Sequence, residues 1–251
     1  MPEGPLIVML KEALQCFKGK KILEIGGNAK VDIAQFENQK IVDLLSWGKH
    51  FLIQLKTRTI RIHFLLFGSY SVEEQTKPNP RLFLRVKGHA VYFYACQVKI
   101  LEENLDEIYD WSADVMNESW NPRKARNRLL AQPETLVCDA ILDQNIFAGA
   151  GNIFKNEVLF RIRLHPLSHI GALSPRKLGE LIKATHNYAF DFLKWKKALV
   201  LKKHWLAHTK KICPRCHIPF IKVKHLGKTK RRSFYCENCQ ILHSISSEKK
   251  P

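Results

Sequence analysis

Six residues in this sequence have types and spacing that could do chemistry. Cys213 and Cys216 form one C-x2-C pair, Cys236 and Cys239 a second, and nineteen residues separate them. Each pair supplies two thiolates to a tetrahedral Zn²⁺, and the stretch between is long enough for a β-hairpin that brings the pairs together. A redox dithiol and four incidental cysteines are the competing readings. Four cysteines fill the coordination shell, so one structural Zn²⁺ is expected, with His217, His225 and His243 left as surface or phosphate-facing residues. A finger this small has no core, and the metal would supply its folding free energy. At the other end, MPEGP places Pro2 directly ahead of a carboxylate, Glu3. A proline in the first turn of a helix is one explanation, because its missing N–H costs nothing there. Removal of Met1 gives another: Pro2 becomes a free secondary amine, a potential nucleophile.

Charge narrows the partner. The 251 residues carry a formal net charge of +18, and residues 191–251 hold 16 Lys and Arg against 3 Asp and Glu. Such a surplus points to a polyanion, nucleic acid or an anionic membrane. No apolar run reaches the ~18 residues of a membrane span, and no signal peptide is evident, so an intracellular protein without a membrane partner is expected. Seven cysteines then sit in a reducing compartment, which favours metal ligation over disulfides. Between the cysteine pairs, IKVKHLGKTKRRSFY interleaves basic residues with aromatics, and arginine at a hairpin turn pairs bidentately with phosphate. A solvated charged loop is the alternative. No Walker motif, GxGxxG or HExxH occurs, so no nucleotide cofactor is expected.

The elements that must position these residues follow from periodicity. Leu6, Met9, Leu10, Ala13, Leu14 and Phe17 recur at helical spacing. From 20 to 105 the chain reads as short β-branched and aromatic runs: KILEIGG, KIVDLLSWG, HFLIQLK, TIRIHFLLFG, RLFLRVKG, AVYFYAC and QVKILEE. These predict a sheet-rich domain of two packed layers. Residues 106–122 are polar and suit a connection; beyond them PRKARNRLLA, ETLVCDAILDQ, GNIFKNEVLFRI and SPRKLGELIKATHNYAFDFLKW read as helices, the last opened by a Ser-Pro cap. Cys16, Cys96 and Cys138 lie in apolar runs and are expected to be core thiols, and His63 a hydrogen-bonded core histidine.

The sequence resembles the formamidopyrimidine-DNA glycosylase and endonuclease VIII family, closer to the endonuclease VIII branch. The resemblance spans nearly the whole chain and rests on PEGP at 2–5, GKH at 48–50, DQNIFAGAGNIFKNEVLFRIRLHP at 143–166 and RRSFYCENCQ at 231–240, in the family's order. It implies an α+β multidomain protein: an N-terminal catalytic β-sandwich with an N-terminal helix over 1–112, a helix-two-turns-helix DNA-binding domain over 113–204, a β-hairpin zinc finger over 205–245 and a tail over 246–251. DNA would lie across the cleft.

The resemblance also implies roles. Pro2 matches the nucleophile, Glu3 the general acid at the opening sugar, and Lys49 the lysine that contacts a phosphate flanking the lesion. Asn152 matches the phosphate-binding asparagine at a helix start. Arg231, five residues before Cys236, matches the phosphate-clamping arginine of the finger, with adjacent Arg232 as the alternate. Leu65, Leu66 and Phe67 align with a wedge that fills the hole left by an extruded nucleotide, although HFLLF also reads as a buried strand. The implied activity is a bifunctional glycosylase and abasic-site lyase acting on damaged DNA, duplex, bubble or single-stranded, as a monomer in the cytoplasm, nucleoid or another DNA-containing compartment. A short connection ahead of Cys213 leaves no room for the lid of purine-directed members, which points to oxidised pyrimidines. Leu6 departs from the family, which carries a second glutamate there. That loss keeps a different class in play, a zinc-containing damage-binding protein or lyase with little base excision. An RNA-binding zinc-ribbon protein accounts for charge and finger but not for the ordered motifs.

Overall fold

Alternating burial along the first hundred residues resolves into strands, and a computed structural model describes residues 2–245. Met1 and the tail over 246–251 therefore lie outside the described residues. The chain divides between Asp110 and Trp111 into two compact units, with the helical segment and the finger in the same unit.

In the first unit, helix α1 (Gly4–Ala13) precedes strands β1 (Ile22–Gly26), β2 (Asp43–Trp47), β3 (His50–Gln54), β4 (Thr59–Val72), β5 (Leu82–Val86) and β6 (His89–Leu101), and a short helix α2 (Leu105–Ile108) follows. The strands form one antiparallel sheet in the order β1-β5-β6-β4-β3-β2. Two long strands build both layers. The first half of β4 pairs with β3 and with the end of β6, whereas its second half pairs with the start of β6, which also holds β5. Between the halves the register breaks: Phe64 pairs with Cys96 but Ser69 with Tyr94, so four residues of β4 stand opposite Ala95 alone. Ala95 takes a left-handed φ of 48° there. AVYFYAC and QVKILEE are thus one strand rather than two, bent at this point.

The layers close on an apolar core. Phe51 of β3 meets Phe93 of β6 at 6.1 Å between ring centroids, and Ile53, Ile60, Leu82 and Leu84 are buried with them. Helix α1 packs on β2 and β3 through Ile7 and Leu10, so its buried face is turned from the one that Leu6 and Met9 mark. Cys96 is buried as expected, but Cys16 is exposed; it lies in a 3-10 turn beside buried Phe17, which takes the inward position.

The second unit holds α3 (Pro122–Leu130), α4 (Val137–Ala140), α5 (Asn152–Arg161), α6 (Pro175–Lys197) and the hairpin β7 (Ile221–Leu226) and β8 (Arg231–Tyr235). Asn121 caps α3 through Arg123 and Lys124 N–H, and Ser174 caps α6 through Lys177 N–H. The ETLVCDAILDQ segment yields only the four-residue α4, because its backbone also bonds outward, Val137 N–H to the Ser168 carbonyl and Cys138 N–H to that of Pro166. Helix α5 is almost wholly buried from Phe154 to Phe160. Among the described residues no helix is long and apolar enough to cross a membrane.

Ile60 sits in the central strand with no exposed surface. Ile60→Ala is expected to cost about 2–5 kcal/mol of stability, measured as the loss in denaturant midpoint.

Candidate functional site

Each unit carries a separate set of the residues in question. In the first, α1 begins at Gly4 with Glu3 as N-cap residue, and the proline of its first turn is Pro5. Pro2 therefore stands ahead of the helix, and the helix-start explanation belongs to its neighbour. Glu3 is 1% exposed, yet its side chain does not cap its own helix. Leu6 is half-buried one turn on, not packed in the core.

Lys49 occupies the two-residue turn between β2 and β3, where Trp47 pairs with His50 and Gly48 takes a φ of 54° that closes the hairpin. A ring cluster supports that turn. Trp47 Nε1 donates 2.9 Å to the Asp110 carbonyl, His50 Nδ1 lies 3.1 Å from the Tyr109 hydroxyl, and the His50 and His63 rings meet edge-on at 5.1 Å. Burial, then the charges of Arg61, His63 and Lys49, hold the His50 pKa at about 3, and burial with Lys49 and Arg61 also lowers that of His63. Both imidazoles are neutral at physiological pH, leaving the positive charge here to Lys49 and Arg61. His63 is half-buried and packed edge-on against the His50 ring rather than set in the core.

Leu65, Leu66 and Phe67 fall on the four-residue break in β4. Leu65 and Leu66 are about half exposed and Phe67 is 82% exposed, whereas Phe64 just before them is buried. The buried-strand reading therefore holds for Phe64 and fails for the next three. Unpaired length in the strand puts these side chains outside the core.

In the second unit, Asn152 opens α5 after Gly151, and its Oδ1 is buried without a hydrogen-bond partner. Buried polar atoms are rarely left so, and free N–H groups and the helix dipole favour an anion at such a terminus. Two neighbours on α5 tie it to the finger. Lys155, 1% exposed, donates 3.0 Å to the Arg232 carbonyl and 2.6 Å to Ser233 Oγ. Asn156 accepts from Phe234 N–H at 3.1 Å and donates to the Asn152 carbonyl at 2.8 Å. These bonds bring Asn152 and the start of β8, with half-buried Arg231 and exposed Arg232, onto adjacent elements. The hairpin turn is fixed from α4: Asp139 accepts from Lys228 N–H, Thr229 N–H and Thr229 Oγ1 at 2.9, 3.0 and 2.8 Å. Gly227, at a φ of 68°, lies where any Cβ would run into that carboxylate.

Glu157, 0% exposed, anchors the segment leading to the finger. Its carboxylate accepts from Leu206, Ala207 and His208 N–H at 2.7–3.0 Å and from Arg161 Nη2 at 3.3 Å. His208 beside it is held neutral, its pKa lowered to about 4 by burial and by the charges of Lys155 and Arg232.

Cys213, Cys216, Cys236 and Cys239 converge, their sulfurs all within 4.8 Å of one another and those of Cys213 and Cys239 at 3.7 Å. Zn–S bonds of about 2.3 Å in a tetrahedron put sulfurs roughly 3.8 Å apart, so the residues fit a four-thiolate zinc site. His217 and His225 are exposed as expected. His243 is not: its Nε2 is buried without a partner, because residues 241–243 run beside 165–169, with His165 N–H bonded to the Ile241 carbonyl and His169 N–H to that of His243.

Asp139, Lys155, Asn156 and His208 are the residues that sequence reasoning passed over. The one available signal was a lysine inside the apolar helix pattern GNIFKNEVLF.

A β-sandwich unit, a unit of helices closed by a four-cysteine hairpin, and an asparagine-led buried helix define a known architecture. Residues 112–197 match the formamidopyrimidine-DNA glycosylase H2TH domain. The chain is 28% identical over 202 residues to mouse Endonuclease 8-like 3, an alignment covering 77% of this chain and 33% of that protein. It is 26% identical over 183 residues to the DNA-(apurinic or apyrimidinic site) lyase Nei2 of Mycolicibacterium smegmatis, covering 69% and 71%. The fold superposes on the crystal structure of a viral DNA glycosylase with a TM-score of 0.83, at 19% identity and with 95% and 100% of the two chains covered. These matches support the formamidopyrimidine-DNA glycosylase and endonuclease VIII family for this chain. It spans about a third of the length of the Endonuclease 8-like 3 proteins that it matches.

Two outcomes follow from these buried groups. Glu157→Gln removes the charge from a carboxylate that accepts three backbone bonds and is expected to cost about 1.5–3 kcal/mol, read from urea unfolding. His50, His63 and His208 have pKa values depressed from 6.5 in the fold, so below 6.5 the unfolded chain binds more protons than the folded one. Stability is expected to fall as pH drops from about 6.5 toward 3–4, and less steeply in His50→Gln, measured as the urea midpoint across that range.

Proposed function

We propose that the chain is a bifunctional DNA glycosylase and abasic-site lyase. The observation that carries this reading is Pro2 standing outside the helix, beside a Glu3 carboxylate buried at the helix entrance. The family matches support it, as does the lyase name of the mycobacterial relative. With Met1 removed, the Pro2 nitrogen attacks C1′ of the damaged nucleotide. The N–C1′ bond forms as the glycosidic bond breaks, the base leaving with that electron pair. Glu3 gives its proton to the sugar ring oxygen as the ring opens. A secondary amine yields a cationic iminium without further protonation, and an α-amino group near 7.7–8.0 has a useful neutral fraction at cellular pH, where a lysine near 10.4 would not. The iminium draws electrons from C2′, whose proton is lost as the 3′-phosphate departs; a second elimination releases the 5′-phosphate.

The remaining residues bind DNA in this reading. Lys49, Asn152 and Arg231, with Arg232 beside it, take backbone phosphates. Leu65, Leu66 and Phe67 fill the space of the extruded nucleotide, a device suited to side chains that the core does not claim. Zinc bound by the four cysteines supplies the folding free energy of the hairpin that carries Arg231. Oxidised pyrimidines are the proposed substrates: α6 ends at Lys197 and a 3-10 turn at 201–204 follows, leaving a short connection before Cys213. Leu6, half-buried where the family has a glutamate, favours a second reading, a lyase with reduced base excision.

Borohydride trapping on two duplexes, one with an abasic site and one with an oxidised pyrimidine, tests the mechanism. A covalent complex is expected on both and none with Pro2→Gly. Trapping on the abasic duplex alone selects the lyase reading, and no trapping on either, with binding intact, leaves a damage-binding protein. Binding is expected to weaken steeply with salt, and Lys49→Ala and Arg231→Ala each to lower the salt slope by about one. Chelation, or Cys236→Ala, is expected to abolish duplex binding along with one equivalent of bound zinc, measured by atomic absorption.

A further inference from the structure

A groove of about 450 Å³ opens between α3 and α6, lined by Trp120, Pro122, Ile182 and His186 and bordered by Arg123, Arg126 and Lys183. None of these residues serves the amine, phosphate or metal chemistry above. Gly179, in the second turn of α6, also faces it, and a Cβ at that position would meet nothing within 4 Å. Glycine inside a helix costs about 1 kcal/mol relative to alanine. Packing makes no demand for it here, and its effect is to keep the groove open.

The groove has a chemical character. Its floor is apolar, its border is cationic, and no acidic side chain lines it. Arg126 donates 3.3 Å to the Pro175 carbonyl, while the side chains of Arg123 and Lys183 have no ion pair among the described residues. Trp120 already has ring neighbours, stacked on His186 at 5.9 Å and 7° and tilted on Phe147 at 6.0 Å. The His186 ring is itself fixed by Nδ1 at 2.9 Å from the Val115 carbonyl, to which it donates. Beside the indole, Pro122 and Ile182 are aliphatic, so the cup is not the row of exposed aromatic faces on which sequence-tolerant single-strand binding relies. It offers instead a preformed wall for an aliphatic or aromatic side chain, and unpaired cations around an apolar cup are complementary to carboxylates.

We propose that this groove docks a short acidic segment of a partner protein. A bulky apolar side chain of the segment enters between Trp120 and Ile182, and its carboxylates pair with Arg123, Arg126 and Lys183. The site is independent of the glycosylase reading.

A random dodecapeptide display library panned against the full chain tests this. Enriched peptides are expected to carry two or more Asp or Glu around a Leu, Ile, Phe or Trp. By fluorescence anisotropy they are expected to bind at least tenfold more weakly to Gly179→Leu, which fills the groove, and to Arg123→Glu/Lys183→Glu, which reverses its border. Affinity for an abasic duplex is expected to stay within twofold in Gly179→Leu, and the thermal midpoint of that variant to match or exceed the parent's. Should the midpoint fall, the double charge reversal on exposed positions carries the test. Peptides without acidic residues, or equal binding to the variants, would overturn the proposal. So would a tenfold loss of oligo(dT)12 binding in Gly179→Leu with peptide binding unchanged, which assigns the groove to nucleic acid.

Discussion

A carboxylate without exposed surface holds the second unit in register. Glu157 lies on the buried helix α5 and accepts from three successive backbone N–H groups of residues 206–208. Removing a charge from water is expensive, and only a full set of donors offsets it. The segment before the finger must therefore present its amides at one place on α5. From that fixed point the same helix sends Lys155 and Asn156 to β8, and Arg215 folds back to cap its other end, donating to the Phe160 and Arg161 carbonyls. One helix thus sets the position of an asparagine with an unpartnered buried oxygen at its start, an arginine-bearing strand along its side and a cysteine cluster beyond its end.

The first unit solves a different problem. A two-layer sheet must turn the chain from one layer to the other without exposing core residues, and here β4 and β6 do so together at one irregularity. Twist and bend increase where extra residues enter a strand. Phe64 keeps its inward position at that corner, with buried Cys96 opposite it. Helix α1 lies across the β2–β3 hairpin, so the helix that Pro2 and Glu3 precede and the lysine turn rest on the same layer.

Much of this was written in the sequence. The C-x2-C spacing, the run of β-branched segments, the Ser174 cap and the apolar spacing along α5 each reflect a local rule, and each came through. What failed was non-local. Periodicity marked the first helix through Leu6, Met9, Leu10, Ala13, Leu14 and Phe17, of which Leu10, Leu14 and Phe17 are buried; Ile7 rather than Leu6 or Met9 completes the inward face, because the choice between adjacent stripes depends on the sheet beneath. An apolar run at 63–67 could not disclose that four residues would face one. Cys16 looked like a core thiol until Phe17 took the inward position, and His243 looked exposed until residues 241–243 lay down beside 165–169. Asp139 gave no usable sign and Lys155 an ambiguous one, since a charge in an apolar pattern reads as surface unless its distant partner is known. The candidate site was readable chiefly through motif order, while the bonds that position it were not.

The corner in β4 has a consequence for how such a protein changes over time. Residues 65–67 sit in the sheet without serving its core, so substitutions there escape the volume constraints that govern Phe64, Ile62 and Phe93. A lineage can alter the size, polarity or reach of these side chains while the sandwich stays folded. In the function proposed above, selection can then tune which nucleic-acid conformations are engaged separately from the chemistry assigned to Pro2. The fold leaves room for variation at a surface that its core does not constrain.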